Sequence, residues 1–166
     1  MPDSLLVIID VQQGFINQWT RHIPKAVETL QREYSYVIAT KFINPDPSPF
    51  RQFIGWTRFA PDNVADTDLA FAPKEDSLVV EKTIYSAAPN IIALSKEKQI
   101  NDVTLCGIAT DNCVLKTAVD LFESSIRPII LADYCASHGG PEAHNAGLLL
   151  LRRMVGSDQV ITTNPC

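Results

Sequence analysis

Apolar residues fall into two textures that alternate along the chain. The first is a short continuous run: SLLVIID at 4–10, SYVIATKF at 35–42, SLVVEK at 77–82, DVTLCGI at 102–108, RPIILAD at 127–133 and QVITT at 159–163. Runs of this length suit strands buried on both faces of a sheet. The second texture has helical spacing. IPKAVETLQREY at 23–34 puts Ile23, Val27 and Leu30 on one stripe, with Pro24 near the start, where proline is tolerated. APNIIALSKEKQI at 88–100 opens the same way at Pro89. DNCVLKTAVDLFESS at 111–125 and GPEAHNAGLLLLRRMVG at 140–156 predict two more helices. Strands alternating with helices predict a parallel sheet covered on both faces. The expected fold is α/β: a Rossmann-like three-layer α/β/α arrangement with a six-stranded parallel sheet, in a single domain spanning 1–166.

One segment breaks the alternation. INPDPSPFRQFIGWTRFAPDN at 43–63 carries four prolines and no strand pattern. It predicts a long loop with one short helix around Phe50–Trp56, and loops of this length in small domains usually serve a function or wrap the surface.

Composition then removes whole classes of function. Of the 166 residues 46% are hydrophobic, enough for a packed core. The formal charge of −5 argues against nucleic acid, which needs a basic face. The longest apolar stretch, AGLLLL, is stopped by Arg152 and Arg153, far short of a membrane span. The opening MPDSLLVIID has no basic leader region before its apolar run. Cys106, Cys113, Cys135 and Cys166 show neither metal-ligand nor disulfide spacing, so a reduced, cytoplasmic protein without cofactor is expected.

In an open parallel sheet, sites form outside the carboxyl ends of the strands. Three reactive residues fall there. Asp10 ends the first strand, Lys82 ends the third, and Cys113 opens the helix after the fourth. A thiol becomes a strong nucleophile only as thiolate. A helix N-terminus and a nearby ammonium both favour that anion, and a carboxylate within reach can take the proton and return it to a leaving amine. Backbone N–H groups around 109–113 would face a developing oxyanion. Taken singly, each residue has a plainer reading: Asp10 a turn residue, Lys82 a solvated strand end, Cys113 a buried filler. Position alone leaves Cys113 between filler and nucleophile.

LLVIIDVQQGF, VVEKTIYSAA and GIATDNCVLKTAVD resemble the three motif blocks of the isochorismatase-like cysteine hydrolases, in order, from about Ser4 to Thr163. That family includes nicotinamidases, N-carbamoylsarcosine amidases, ureidoacrylate and biuret hydrolases, and isochorismatases. The resemblance implies a triad of Asp10, Lys82 and Cys113. It also implies a cis Ile108–Ala109 peptide bond, with the Ala109 and Cys113 N–H groups as oxyanion hole. The implied reaction is metal-independent cleavage of a C–N bond in a small amide or ureide through a thioester. The alternatives are vinyl-ether hydrolysis of the isochorismatase kind and a non-catalytic relative that binds a small molecule.

The chain departs from the metal-bearing branch. Nicotinamidases carry an Asp and clustered histidines in the loop after the second strand, whereas TKFINPDPSPFRQFIGW has no histidine. His22, His138 and His144 lie elsewhere with no zinc-ligand spacing, and structural or surface roles are expected for them. No metal is expected. Gln12 and Phe15 after Asp10, Phe42, and Tyr85 after Lys82 are the expected substrate-binding residues. Ser86 is similarly placed, and Asn44, Phe50, Arg51, Phe53 and Trp56 are further pocket candidates. Cys106 reads as buried filler, Cys135 as a passive residue following the fifth strand, and Cys166 as a terminus. Family members usually form dimers or tetramers. A homo-oligomer is therefore expected, with Phe50, Phe53, Ile54, Trp56 and Phe59 as its apolar contact.

Overall fold

Every strand run pairs in parallel with its neighbours. In the computed structural model, which describes residues 3–163, the strands are β1 (Leu5–Ile9), β2 (Tyr36–Phe42), β3 (Leu78–Lys82), β4 (Asp102–Ile108), β5 (Arg127–Ala136) and β6 (Val160–Ile161). They form one six-stranded sheet in the order β3-β2-β1-β4-β5-β6. All residues of β1 are buried, as its LLVII composition requires of a central strand covered on both faces. The helices are α1 (Ile23–Leu30), α2 (Pro49–Ile54), α3 (Val64–Thr67), α4 (Ala88–Lys98), α5 (Leu115–Glu123) and α6 (Pro141–Val155). Helices α4, α5 and α6 pack along one another, and α1 lies against β4 and β5. None of the described helices is long and apolar enough to cross a membrane.

The order of the sheet fixes where a site can form. The chain leaves β1 towards β2 on one side, and after β3 it returns to β4 on the other. The exits of β1 and β4 therefore diverge, and a crevice opens between the loops that follow them.

The structure moves several expected boundaries. The helix expected at 111–125 opens with a π-helical turn, Thr110–Val114, and α5 proper begins at Leu115. Strand β5 continues to Ala136. Its register against β4 slips between Leu105, opposite Ile130, and Gly107, opposite Cys135. Between these pairs β4 has Cys106 alone and β5 has Leu131–Tyr134, a bulge of three extra residues where the apolar run ends. Cys135 therefore lies inside β5, not after it. Helix α1 stops at Leu30 and gives way to a 3-10 turn at Gln31–Glu33. The last strand keeps only Val160–Ile161 of the expected 159–163. Helix α2 is shorter than expected: Ser48 Oγ caps it by accepting the Arg51 N–H at 3.2 Å, and Gly55 at φ 66° ends it. Helix α3 has no counterpart among the expected elements. Cys166 lies outside the described residues.

One close approach ties the fold to the crevice. A Cβ on Gly147 of α6 would lie 2.7 Å from the Asp111 nitrogen and 2.8 Å from the Thr110 carbonyl carbon. The helix therefore rests its backbone against the loop that carries Cys113, and only glycine permits it. Gly147→Ala is expected to destabilise the protein by about 1–3 kcal/mol through overpacking, seen as a lower thermal midpoint. A variant as stable as the parent would show that α6 does not bear on this loop.

Candidate active site

Three side chains from three strand exits meet in the crevice. Asp10 follows β1 in a left-handed backbone conformation, φ 48°, which aspartate tolerates better than most residues. Lys82 is the last residue of β3, one strand further out than β2. Cys113 sits in the π-helical turn after β4. Lys82 Nζ lies 2.8 Å from Asp10 Oδ2 and 3.6 Å from Cys113 Sγ. All three are buried. The lysine side chain thus reaches across β2 to the carboxylate beside β1. A residue of β2 completes the arrangement: Thr40 Oγ1 donates to Asp10 Oδ1 at 2.6 Å and accepts the Asp10 N–H at 3.1 Å. The sequence did signal Thr40, as a polar residue inside the apolar run 35–42.

The protons of the ammonium settle the electrostatics. Lys82 Nζ donates to Ile84 O at 2.9 Å, to Tyr85 O at 3.0 Å and towards Cys113 Sγ. With Asp10 Oδ2 at 2.8 Å, four acceptors share the three protons of the lysine, and the carboxylate contact is the shortest. Asp10 Oδ2 is buried with no partner besides that ammonium, so a lone pair on it remains open. An acceptor left open next to a thiol is what a general base needs.

Burial raises the Cys113 thiol well above its ordinary pKa, and the Asp10 charge raises it further; Lys82 opposes both without prevailing. The resting group is a thiol. Burial pulls Lys82 down, but the charge of Asp10, with Cys113 acting in the same direction, more than restores it, so its pKa is raised and it stays charged.

The crevice widens into a cavity of about 290 Å³. Phe15, Phe42, Phe50, Ile54 and Trp56 form its apolar wall. Tyr85, Ala109, Asn112, Cys113 and His138 supply its polar positions. The rings are mutually packed: Phe15 and Phe59 stack with centroids 4.1 Å apart, and Phe42 and Trp56 at 5.6 Å. The Ile108–Ala109 peptide bond at its floor is cis, as is Asp46–Pro47.

Among the expected substrate-binding residues, Phe15, Phe42 and Tyr85 line this cavity and Gln12 does not. Gln12 is fully buried, with its amide taken up by backbone. Its Oε1 accepts the Phe42 N–H at 2.7 Å, and its Nε2 donates to Phe42 O and Thr67 O, both at 2.9 Å. It cross-links the exits of β1 and β2, so it holds Phe42 in place and cannot reach a ligand. Asn44 braces the wall in a similar way, with its Nδ2 donating to Trp56 O and Arg58 O, each at 2.9 Å. Ser86 turns inward to accept the Ala88 N–H. Arg51 is held by Asn44 O and Thr57 O. Phe53 is 81% exposed, away from the cavity. The expected apolar contact for an oligomer is largely used inside the chain. Phe59 is wholly buried and Phe50 nearly so, which leaves Phe53 and Ile54 as its exposed members.

His138 and Asn112 are cavity residues that the sequence did not reveal. His22, His144 and Cys135 line a separate hollow of about 170 Å³ beside Trp19. There His144 Nδ1 lies 2.7 Å from Thr110 Oγ1 and helps fix the loop that carries Cys113. Burial pushes Cys135 up to about 12, so it stays a passive thiol. Cys106 is wholly buried in β4. Among the described residues, no three His, Cys, Asp or Glu side chains converge to hold a metal ion. Where a metal would need ligands beside this cavity, the loop after β2 presents Phe50 and Trp56.

The chain belongs to the isochorismatase family: the isochorismatase domain model matches residues 4–164. The Dictyostelium discoideum isochorismatase family protein 1A is 30% identical, with 96% of this chain and 74% of that protein aligned. Isochorismatase domain-containing protein 2A of mouse is 35% identical over 51% of this chain and 40% of its own length, so the chain spans about two fifths of that relative. The maleamate amidohydrolase of Pseudomonas putida is 26% identical over 86% of this chain and 76% of that protein. Among solved structures, an isochorismatase-like hydrolase from Alkaliphilus metalliredigens superposes with a TM-score of 0.81 at 21% identity, covering 96% of this chain and 94% of that one. A Pyrococcus horikoshii pyrazinamidase, solved with zinc, gives 0.81 at 20%, covering 98% and 99%. At these identities the structural likeness establishes the fold, a six-stranded parallel sheet with helices around it.

The charges around Cys113 make a directional prediction for alkylation by iodoacetamide. Because the thiol pKa is raised, labelling is expected to be slow near neutral pH and to climb into the alkaline range. Asp10→Asn removes a negative neighbour and leaves Lys82, so its midpoint should move to lower pH. Lys82→Met should move it higher. An unchanged or raised midpoint in Asp10→Asn would contradict this reading of the site.

Proposed function

We propose that the chain is a cysteine hydrolase that cleaves the C–N bond of a small amide through a thioester, with Cys113 as nucleophile, Asp10 as general acid and base, and Lys82 as the cation between them. The observation that carries this reading is the open Oδ2 of Asp10. The Lys82 ammonium lies 2.8 Å from that oxygen, no other group is bonded to it, and it lies in the same cluster as the thiol.

Asp10 takes the Cys113 proton as the sulfur attacks the carbonyl carbon of a substrate in the cavity. Negative charge moves from sulfur to the former carbonyl oxygen. The N–H groups of Ala109 and Cys113, which both line the cavity floor, receive that oxygen. Asp10 then gives its proton to the departing nitrogen, so that ammonia or an amine leaves and a thioester remains. Water, deprotonated by Asp10, attacks the thioester. The acid is released, the proton returns to sulfur, and the thiol is restored. Lys82 stays charged throughout, which steadies whichever of Asp10 and Cys113 bears the negative charge. No step involves a metal, because the side chains described around the cavity do not form a ligand set.

The names of the relatives support the same chemistry, since a maleamate amidohydrolase and a pyrazinamidase both release ammonia from an amide. An intact Asp10, Lys82 and Cys113 cluster favours this reading over ether cleavage, which does not require a thiol nucleophile.

Cys113→Ala is expected to reduce ammonia release from a panel of primary amides to the uncatalysed level, while leaving the thermal midpoint close to that of the parent. A substrate hydrolysed at the parental rate by folded Cys113→Ala would overturn the assignment.

A further inference from the structure

Which amides fit depends on what the cavity offers beyond Cys113. Its wall is aromatic on one side, so the body of a ligand would lie against Phe15, Phe42 and Trp56. Among the described residues no lysine or arginine lines it. Lys82 is held by Asp10 and two carbonyls, Arg51 by Asn44 O and Thr57 O, and Arg58 by Asp66. A carboxylate on the substrate would lose its water and gain no partner, which is costly.

His138 is the exception to the apolar wall. Its ring packs 4.8 Å from that of Phe15 and lines the cavity. Nδ1 is sealed from solvent and has no hydrogen-bond partner. A buried N–H without an acceptor is rarer in proteins than an under-used lone pair. The neutral ring therefore places its lone pair at Nδ1 and its proton at Nε2, the other nitrogen of a ring that lines the cavity. The nearest charges, Asp111 and Arg58, act on the ring in opposite directions, and burial keeps it neutral. The side chain is then a donor held against Phe15, whereas the other side-chain donors of the lining, Tyr85 and Asn112, come from the β3 exit and the Cys113 turn.

We propose that His138 is the specificity-determining residue of this cavity: it donates one hydrogen bond from Nε2 to an acceptor atom on an uncharged substrate whose apolar body rests on the aromatic wall. This rests on the amidase reading for the place of the scissile amide. Its test measures binding only, so the two can fail separately.

The experiment titrates Trp56 fluorescence in the Cys113→Ala protein with ligands of one skeleton: cyclohexanecarboxamide, its 3-oxo and 4-oxo derivatives, and its 4-carboxylate. At least one ketone is expected to bind about threefold to tenfold more tightly than the parent amide, as one added neutral hydrogen bond allows. The carboxylate is expected to bind more weakly than the parent amide. Adding His138→Phe, which keeps a ring but removes the donor, should erase the preference for the ketone over the parent amide when both are measured in that variant. His138→Gln, which restores an N–H donor, should recover part of it. A ketone preference that survives in His138→Phe would overturn the proposal. So would a carboxylate that binds as well as the ketone, or the absence of binding by every ligand in the set. Ammonia release by the parental enzyme judges the amidase reading independently.

Discussion

A lysine ammonium and an aspartate carboxylate 2.8 Å apart, both out of water, set the conditions for the rest of the site. Removing two charges from water costs several kcal/mol each, and their attraction compensates only when other hydrogen bonds complete the set. The structure supplies them from three directions. Thr40 on β2 bonds Asp10 Oδ1, and the carbonyls of Ile84 and Tyr85 and Cys113 Sγ share the ammonium protons with Asp10 Oδ2. The set leaves a lone pair of Asp10 Oδ2 open beside the thiol cluster. Burial first, and the Asp10 charge after it, hold Cys113 protonated at rest against the pull of Lys82, and on the proposed mechanism the same Asp10 is the base that deprotonates it. A strongly depressed thiol pKa would leave Asp10 little to do, and the raised one gives it a role.

Rigidity around this pair comes from side-chain amides, not from hydrophobic packing alone. Gln12 ties the β1 exit to Phe42, and Asn44 ties the start of the long loop to Trp56 and Arg58. Asp66 of α3 accepts from Arg58, from the Phe59 N–H and from Asn63 Nδ2, which anchors the other end of the loop. Arg58 first, through its hydrogen bond, holds the Asp66 carboxyl below its ordinary pKa, and burial opposes it. The loop 43–63 is therefore a braced wall that presents Phe50 and Trp56 to the cavity. Such bracing holds an aromatic surface in place before any ligand arrives, which limits the ordering cost of binding.

Legibility from sequence followed the physics of each feature. The central strands β1, β2 and β4 were readable because burial on both faces leaves a continuous apolar run, whereas β3 at the sheet edge keeps the run with Leu78 and Val79 exposed. Asp10, Lys82 and Cys113 were readable because a parallel sheet gathers its strand exits on one edge. Gln12 misleads for the same reason. Its position at the β1 exit is right for a ligand contact, but whether an amide faces a cavity or a backbone depends on the path of β2, thirty residues on. The bulge that carries β5 on to Ala136 is hidden because its three extra residues fall where the apolar run ends. It also sets where His138 falls, so that residue reads only as a histidine near the last helix. Phe59 looks like surface in a proline-rich loop, and its burial follows from the Asp66 anchor, which only the folded chain reveals.

The central claim is that sulfur and carboxylate work as one unit and that a bond forms at Cys113 during turnover. The most direct measurement is intact-protein mass spectrometry of enzyme quenched in acid during hydrolysis of a good amide, followed by peptide mapping. The account predicts an added mass equal to the acyl group of the substrate, confined to the peptide bearing Cys113. An Asp10→Asn protein should show none when it is incubated with the same amide. Rapid turnover with no acyl adduct under any quench, or an adduct on Cys106 or Cys135, would contradict it.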